Sequence, residues 1–149
     1  MTIRGVRVLV TGGAGAIGSR IVSELLRRGA EAVVILDNLS SGHRDLVPPD
    51  PRVSLVVADV RDDAALDGMF VEHRPTAVFH LAAQFANQNS VDHPVSDLET
   101  NVGGTIRLLE RSRANKIARV VYVSSSCVYE PSTEPLDDRL APAAVDTPY

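Results

Sequence analysis

The chain has 149 residues, a formal net charge of −4 and an apolar fraction of 44% with few aromatics. That length fits one domain with a real core, and the weak, unclustered negative charge gives no electrostatic basis for binding nucleic acid or an anionic membrane. A single cysteine, Cys127, excludes an internal disulfide and a cysteine-rich metal site. No apolar run reaches membrane-spanning length, and Arg4 and Arg7 interrupt any signal-peptide core, so a cytoplasmic setting is expected.

Five short β-branched runs are predicted strands: Val6–Val10, Ala32–Leu36, Val53–Ala58, Ala77–Leu81 and Val120–Ser124. Near-continuous apolar runs of this kind suit strands buried on both faces, as in a parallel sheet. Helical patterns separate them. Ile17, Ile21 and Leu25 form one stripe, closed by Gly29. Asp62–Arg74 puts Leu66, Met69 and Phe70 on one face ahead of Pro75, and Leu98–Ala114 aligns Leu98, Val102, Ile106 and Leu109. Alternating strands and helices predict right-handed crossovers with helices on both sheet faces. Prolines at 131, 135, 142 and 148 predict a loop from Glu130 onward.

The first predicted strand runs into Thr11-Gly12-Gly13-Ala14-Gly15-Ala16-Ile17-Gly18. Glycines at these spacings allow a tight turn and let the backbone approach a pyrophosphate, whose charge is met by N–H groups at a helix N-terminus. The loop follows a strand, opens an amphipathic helix and is followed by Asp37 at the end of the second strand, which is the context a dinucleotide fingerprint requires. A carboxylate there accepts from ribose hydroxyls and repels a 2′-phosphate, favouring NAD over NADP.

Further motifs follow in order: Leu36-Asp37-Asn38-Leu39-Ser40-Ser41-Gly42, Asp59-Val60-Arg61-Asp62, His80-Leu81-Ala82-Ala83-Gln84, Asn101-Val102-Gly103-Gly104-Thr105 and Val123-Ser124-Ser125-Ser126-Cys127-Val128-Tyr129. Together with the glycine loop they resemble the extended short-chain dehydrogenase/reductases that act on nucleotide sugars, above all the NAD-dependent 4-epimerases. The resemblance covers the whole chain. It implies an α/β, Rossmann-type doubly wound parallel sheet, with 1–149 as the NAD-binding domain, cut before the last strands and the substrate domain.

The resemblance also implies roles. Gly12, Gly15, Ala16 and Ile17 line the pyrophosphate, while Asp37 holds the adenosine ribose with Asn38, Ser40, Ser41 and Gly42 around it. Asp59 and Val60 flank the adenine. Leu81, Ala82, Ala83 and Gln84 pass under the nicotinamide ribose, and Asn101 sits behind the site. Ser125 takes the place of the catalytic Ser or Thr. Tyr149 follows it by 24 residues and takes the place of the catalytic tyrosine. The family's next catalytic residue, a lysine, would stand at 153, so a polypeptide of these residues alone is expected to be inactive. Glu130 departs from the family's usual glycine. The partners implied are a nucleotide sugar, most simply UDP-linked, and a second copy of the chain, since such enzymes pair through the helix after the fourth strand.

The reaction so implied is epimerisation through transient oxidation. Dehydratases of the family carry Asp-Glu directly after the catalytic Thr; here Ser126 and Cys127 stand there, and neither is a general acid at neutral pH. A decarboxylase or reductase, or a non-catalytic NAD-binding module, are the alternatives. His80 is expected to be a satisfied core histidine, and Cys127 a small packed residue. The amide-rich stretch Gln84–Ser90 either faces a substrate or is a solvated loop. Asp62-Asp63 and Asp137-Asp138 read as helix starts or turns, not as a metal site.

Overall fold

The computed structural model describes residues 3–125 and 128–129. Five strands, β1 (Arg7–Thr11), β2 (Ala32–Asp37), β3 (Val53–Val57), β4 (Ala77–His80) and β5 (Arg119–Tyr122), form one sheet in the order β3-β2-β1-β4-β5. All four pairings are parallel, with Val8 opposite Val33 on one side and Ala77 on the other. The order reverses between β1 and β4, so a crevice opens above the strand ends at that point.

Alternation along the strands divides the core in two. Val8, Val10, Val33 and Ile35 face α1 (Ala16–Arg27) and bury Val22, Leu25 and Leu26 against them. Leu9, Val34, Leu36 and Val78 face the opposite way and cover Leu66, Met69 and Phe70 of α2 (Asp63–His73), together with Leu108. Helices thus lie on both sides, as a doubly wound sheet requires. Asp62 caps α2 by accepting from the Ala65 N–H at 3.0 Å, and Arg74 in the left-handed region (φ 44°) ends it before Pro75. Gly29, at φ 86°, closes α1.

Several expectations are corrected. The outer strands β3 and β5 are only partly buried, because each has a single neighbour among the described residues; an apolar run reports a strand, not its rank in the sheet. Ile17 is 64% exposed rather than part of the buried stripe, which consists of Gly18, Ser19, Val22, Leu25 and Leu26. Within the first turn of α1 the buried side is taken by Gly18 and Ser19, while Ala16 and Ile17 face outward. Gln84–Ser90 is not simply loop: from Asn87 it is wound as α3 (Asn87–Asp92), followed by α4 (Pro94–Asp97).

The long predicted helix Leu98–Ala114 starts as a π-helix, Leu98–Gly104, and becomes α5 only at Thr105–Ala114. The Thr105 hydroxyl donates to the Asn101 carbonyl at 2.6 Å, occupying the oxygen that an α-helix gives to the Thr105 N–H. Leu98, Val102, Ile106 and Leu109 do share a face, but that face is turned to solvent. The buried side carries Gly104, Leu108 and Ser112, and Arg111 ties it to α2 through Asp63 and Asp67 at 2.8 and 2.7 Å.

Among the described residues no helix is long and apolar enough to cross a membrane, and no group of three or more His, Cys, Asp or Glu could hold a metal.

Candidate cofactor site

Because every strand runs the same way, all five C-terminal ends reach one edge, and the candidate residues follow those ends. Gly12 follows β1, Asp37 ends β2, Asp59 follows β3, Leu81–Gln84 follow β4, and Ser125 follows β5.

The glycine loop is shaped by close approach. Gly12 has φ 70°, and its N–H donates to Leu36 O at 2.8 Å. A Cβ on Gly18 would stand 2.1 Å from Gly12 O, so any side chain there would force the loop off the helix. Gly15 is the N-cap of α1 and offers no side chain to cap it, and the first turn contains no acidic residue. The positive N-terminal end of this twelve-residue helix thus carries no acidic residue of its own, and the Asp37 carboxylate is bonded one residue ahead of the N-cap, at the Ala14 N–H. Ala16 and Ile17 are exposed beside it.

Asp37 is 8% exposed, yet has no cationic partner among the described residues. Its Oδ2 accepts from Ala14 N–H and its Oδ1 from Leu39 N–H, both at 2.9 Å. The carboxylate thereby fastens the glycine loop to the turn that follows β2, and His43 N–H donating to Ala14 O at 3.0 Å secures the far end of that turn. Asn38, Ser40 and Ser41 line that turn, and Gly42 is buried against Asp37.

Asp59 is the centre of a polar knot. It accepts from Arg61 N, Nε and Nη2 at 2.8–3.0 Å and from Asn38 Nδ2 at 2.9 Å. Hydrogen bonds from the Arg61 side chain, opposed by partial burial, hold its carboxyl down at about 2. Val60 is only 4% exposed and belongs to the core.

Past β4, the Leu81 and Ala82 N–H groups each donate to Thr11 Oγ1 at 3.2 Å. Asn101 lies in the π-helix behind them. It clamps Gln84 from both sides, Oδ1 accepting from Gln84 N at 2.8 Å and Nδ2 donating to Gln84 O at 2.9 Å. The sequence motif points to Asn101 but not to this clamp, which spans 17 residues and depends on the π-helical turn. His80 is a satisfied core histidine as expected, with a partner on each ring nitrogen and burial pushing its pKa down to about 4. Ser125 is half-buried, and its carbonyl accepts from the Val128 N–H at 3.4 Å. Ser126, Cys127, Glu130, the Asp137-Asp138 pair and Tyr149 lie outside the described residues.

The donor set fits a dinucleotide. An uncapped helix start beneath a close-packed glycine loop suits a pyrophosphate, and a buried carboxylate at the end of β2, held by two backbone N–H groups, suits ribose hydroxyls.

Known proteins agree with this geometry. The chain is 42% identical over 135 residues to a UDP-glucose 4-epimerase of Rhizobium leguminosarum bv. trifolii, covering 90% of this chain and 40% of that enzyme. Among solved structures, epimerase Mth375 of Methanothermobacter thermautotrophicus superposes with a TM-score of 0.91 at 44% identity, over 99% of this chain and 44% of that one. The UDP-glucose 4-epimerase of Thermus thermophilus, solved in complex with NAD, gives a TM-score of 0.87 at 42% identity, over 96% of this chain and 46% of that one. The chain thus spans less than half the length of these relatives. The sequence model of the NAD dependent epimerase/dehydratase family matches residues 8–149, and the chain belongs to that family.

Proposed function

We propose that the chain is the NAD-binding portion of a nucleotide-sugar 4-epimerase acting on a UDP-linked sugar. The observation that carries this is the convergence of Gly12, Asp37, Asp59, Leu81–Gln84 and Ser125 on one sheet edge, over an α-helix start with no acidic residue in its first turn. Relatives named as UDP-glucose 4-epimerases support the substrate class.

In this reading the pyrophosphate lies on Gly12, Gly15, Ala16 and Ile17, where backbone N–H groups and the helix dipole meet its charge. The adenosine ribose sits on Asp37 with Asn38, Ser40, Ser41 and Gly42 around it. Asp59 and Val60 flank the adenine. The nicotinamide ribose rests on Leu81, Ala82, Ala83 and Gln84, with Asn101 holding that segment from behind. Bound NAD would supply the acceptance of a hydride from the sugar carbon and its return to the other face of the resulting ketone. Ser125 holds the sugar oxygen, and Tyr149 removes the proton from that oxygen. A tyrosine titrates near about 10, so it needs neighbouring positive charge to act as a base near neutral pH. The family places a lysine four positions on, and a polypeptide of these 149 residues is therefore expected to bind NAD without turning over a sugar.

The outward stripe of Leu98, Val102, Ile106 and Leu109 is the surface we assign to a homodimer. Large exposed apolar patches of this kind mark interfaces.

Calorimetric titration of the chain with NAD and NADP tests the cofactor. The expected result is NAD binding with NADP at least tenfold weaker; equal affinities, or no NAD binding, would overturn the assignment. A longer polypeptide that carries this sequence, offered a panel of nucleotide sugars, tests the substrate. Conversion of UDP-glucose to UDP-galactose supports it, while loss of water or carbon dioxide from any sugar of the panel points to a dehydratase or decarboxylase instead.

A further inference from the structure

His80 is a buried titratable group with no part in the chemistry just proposed. It ends β4 and is 2% exposed. Nδ1 lies 2.6 Å from Thr11 Oγ1, and Nε2 lies 2.8 Å from Thr105 Oγ1. A neutral imidazole has one N–H and one bare nitrogen, and its neighbours decide which is which.

Thr11 decides it here. Its Oγ1 already accepts from Ala82 N–H and shares the Leu81 N–H with the Thr11 carbonyl, at 3.2 and 3.1 Å, so its lone pairs face backbone donors. Its hydroxyl proton is left to donate, and His80 Nδ1 is the acceptor within reach. Nδ1 is therefore bare, and Nε2–H donates to Thr105 Oγ1. The Thr105 hydroxyl passes its own proton to Asn101 O at 2.6 Å. Every donor in this chain of bonds meets an acceptor. Reversing the ring would put two hydrogens between Thr11 and Nδ1 and leave Nε2 facing a hydroxyl already committed to Asn101.

The two ends of this chain of bonds bracket one backbone segment. Thr11 holds Leu81 and Ala82, and Asn101, whose Nδ2 also donates to Asp97 Oδ1 at 3.0 Å, clamps Gln84. The glycine loop rests on the same segment, since a Cβ on Gly12 would lie 2.8 Å from Ala82 N. The Tyr122 ring packs against His80 from β5 at 5.8 Å between centroids.

We propose that His80, fixed as its neutral Nε2–H tautomer, is a positioning residue that joins Thr11 to Thr105 and so sets the Leu81–Gln84 backbone against the glycine loop. Its consequence for NAD rests on the cofactor reading above; its consequence for the backbone does not.

Long-range proton–nitrogen NMR of the chain at pH 7 reads the ring directly. A bare Nδ1 and a protonated Nε2 are expected, and a protonated Nδ1 overturns the proposal. Three variants then separate the two contacts. His80→Asn keeps an acceptor near the place of Nδ1, His80→Gln keeps a donor near that of Nε2, and His80→Phe keeps neither. In His80→Phe the Ala82 and Gln84 amides should exchange at least tenfold faster while amides at the centre of β2 keep their protection. The Asn variant should restore protection at Ala82, and the Gln variant at Gln84. Unchanged exchange in the Phe variant, or identical exchange in the Asn and Gln variants, overturns the proposal. Should the Phe variant not fold, the tautomer and the Asn–Gln comparison decide. NAD affinity should fall at least tenfold in the Phe variant, and amides that respond without any change in affinity overturn the coupling to the site. A parent chain that does not bind NAD refutes the cofactor reading, and the ring and amide measurements still judge His80.

Discussion

Gly42 stands directly against the Asp37 carboxylate: a Cβ built on it would lie 2.8 Å from Oδ1 and 3.0 Å from Oδ2. The residue at this position is therefore part of what aims the carboxylate. Gly42→Ala should push Asp37 off the Ala14 and Leu39 N–H groups and weaken NAD binding by about tenfold, equivalent to about 1.4 kcal/mol. Asp37→Asn keeps the shape but lowers the repulsion of a 2′-phosphate, so it should narrow the gap between NAD and NADP. Calorimetry on both variants checks this; unaltered affinity in Gly42→Ala would show that the turn yields instead of the carboxylate.

Acid should weaken the fold earlier than its carboxylates alone would make it. Burial lowers the His80 pKa from 6.5 to about 4, so the unfolded chain takes up a proton between those values and the folded chain does not. The stabilising contribution is complete above pH 6.5 and is lost as pH falls towards 4, amounting to about 3 kcal/mol over that window. Asp59, held down at about 2 by Arg61, contributes its own loss only at lower pH. Urea unfolding at pH 7.5, 5.5 and 4.5 should show the slope, and His80→Asn should flatten it.

Asp62→Ala removes the side-chain cap of α2 and should cost about 1 kcal/mol, because the Ala65 N–H loses its acceptor. Asp62→Ser should recover most of that. Thermal melts suffice, and NAD affinity should stay level, since α2 lies against the opposite side of the sheet from α1 and its glycine loop.

Ile106 and Val102 lie in the outward stripe, 52% and 49% exposed. Ile106→Glu should shift the chain towards monomer in sedimentation experiments without changing its melting curve measured at high dilution. A parent chain that is already monomeric at the concentrations tested would refute the homodimer assignment.

The parts of this molecule legible in the sequence are those set by local rules. The glycine loop, Asp37 at a strand end, the Asp62 cap and the alternation of strands with helices all announce themselves within a few residues. What the sequence hides depends on residues far apart. The stripe of Leu98, Val102, Ile106 and Leu109 has a helical period, but period alone does not say which side of a helix meets the sheet. Burial of Gly104 and Leu108 decides it. Ile17 fits an apolar stripe, yet the residues buried in that turn are Gly18 and Ser19, and Ile17 faces outward. Asn101 is recognisable by motif, yet its grip on Gln84 needs the π-helical turn that the Thr105 hydroxyl helps to open.

The parallel pairing of β1 has a consequence for how the chain is made. Both neighbours of β1 come later in the sequence, and Thr11 is matched with His80, 69 residues downstream. At ordinary synthesis rates the ribosome needs about 3 to 14 s to cover that distance. For that interval Val8 and Val10, fully buried in the finished sheet, have at most β2 beside them and an open hydrogen-bonding edge on the other side. The central strand is thus the earliest made of the five and stays open on one side until β4 is made, so the nascent chain is vulnerable to mispairing there before His80 emerges.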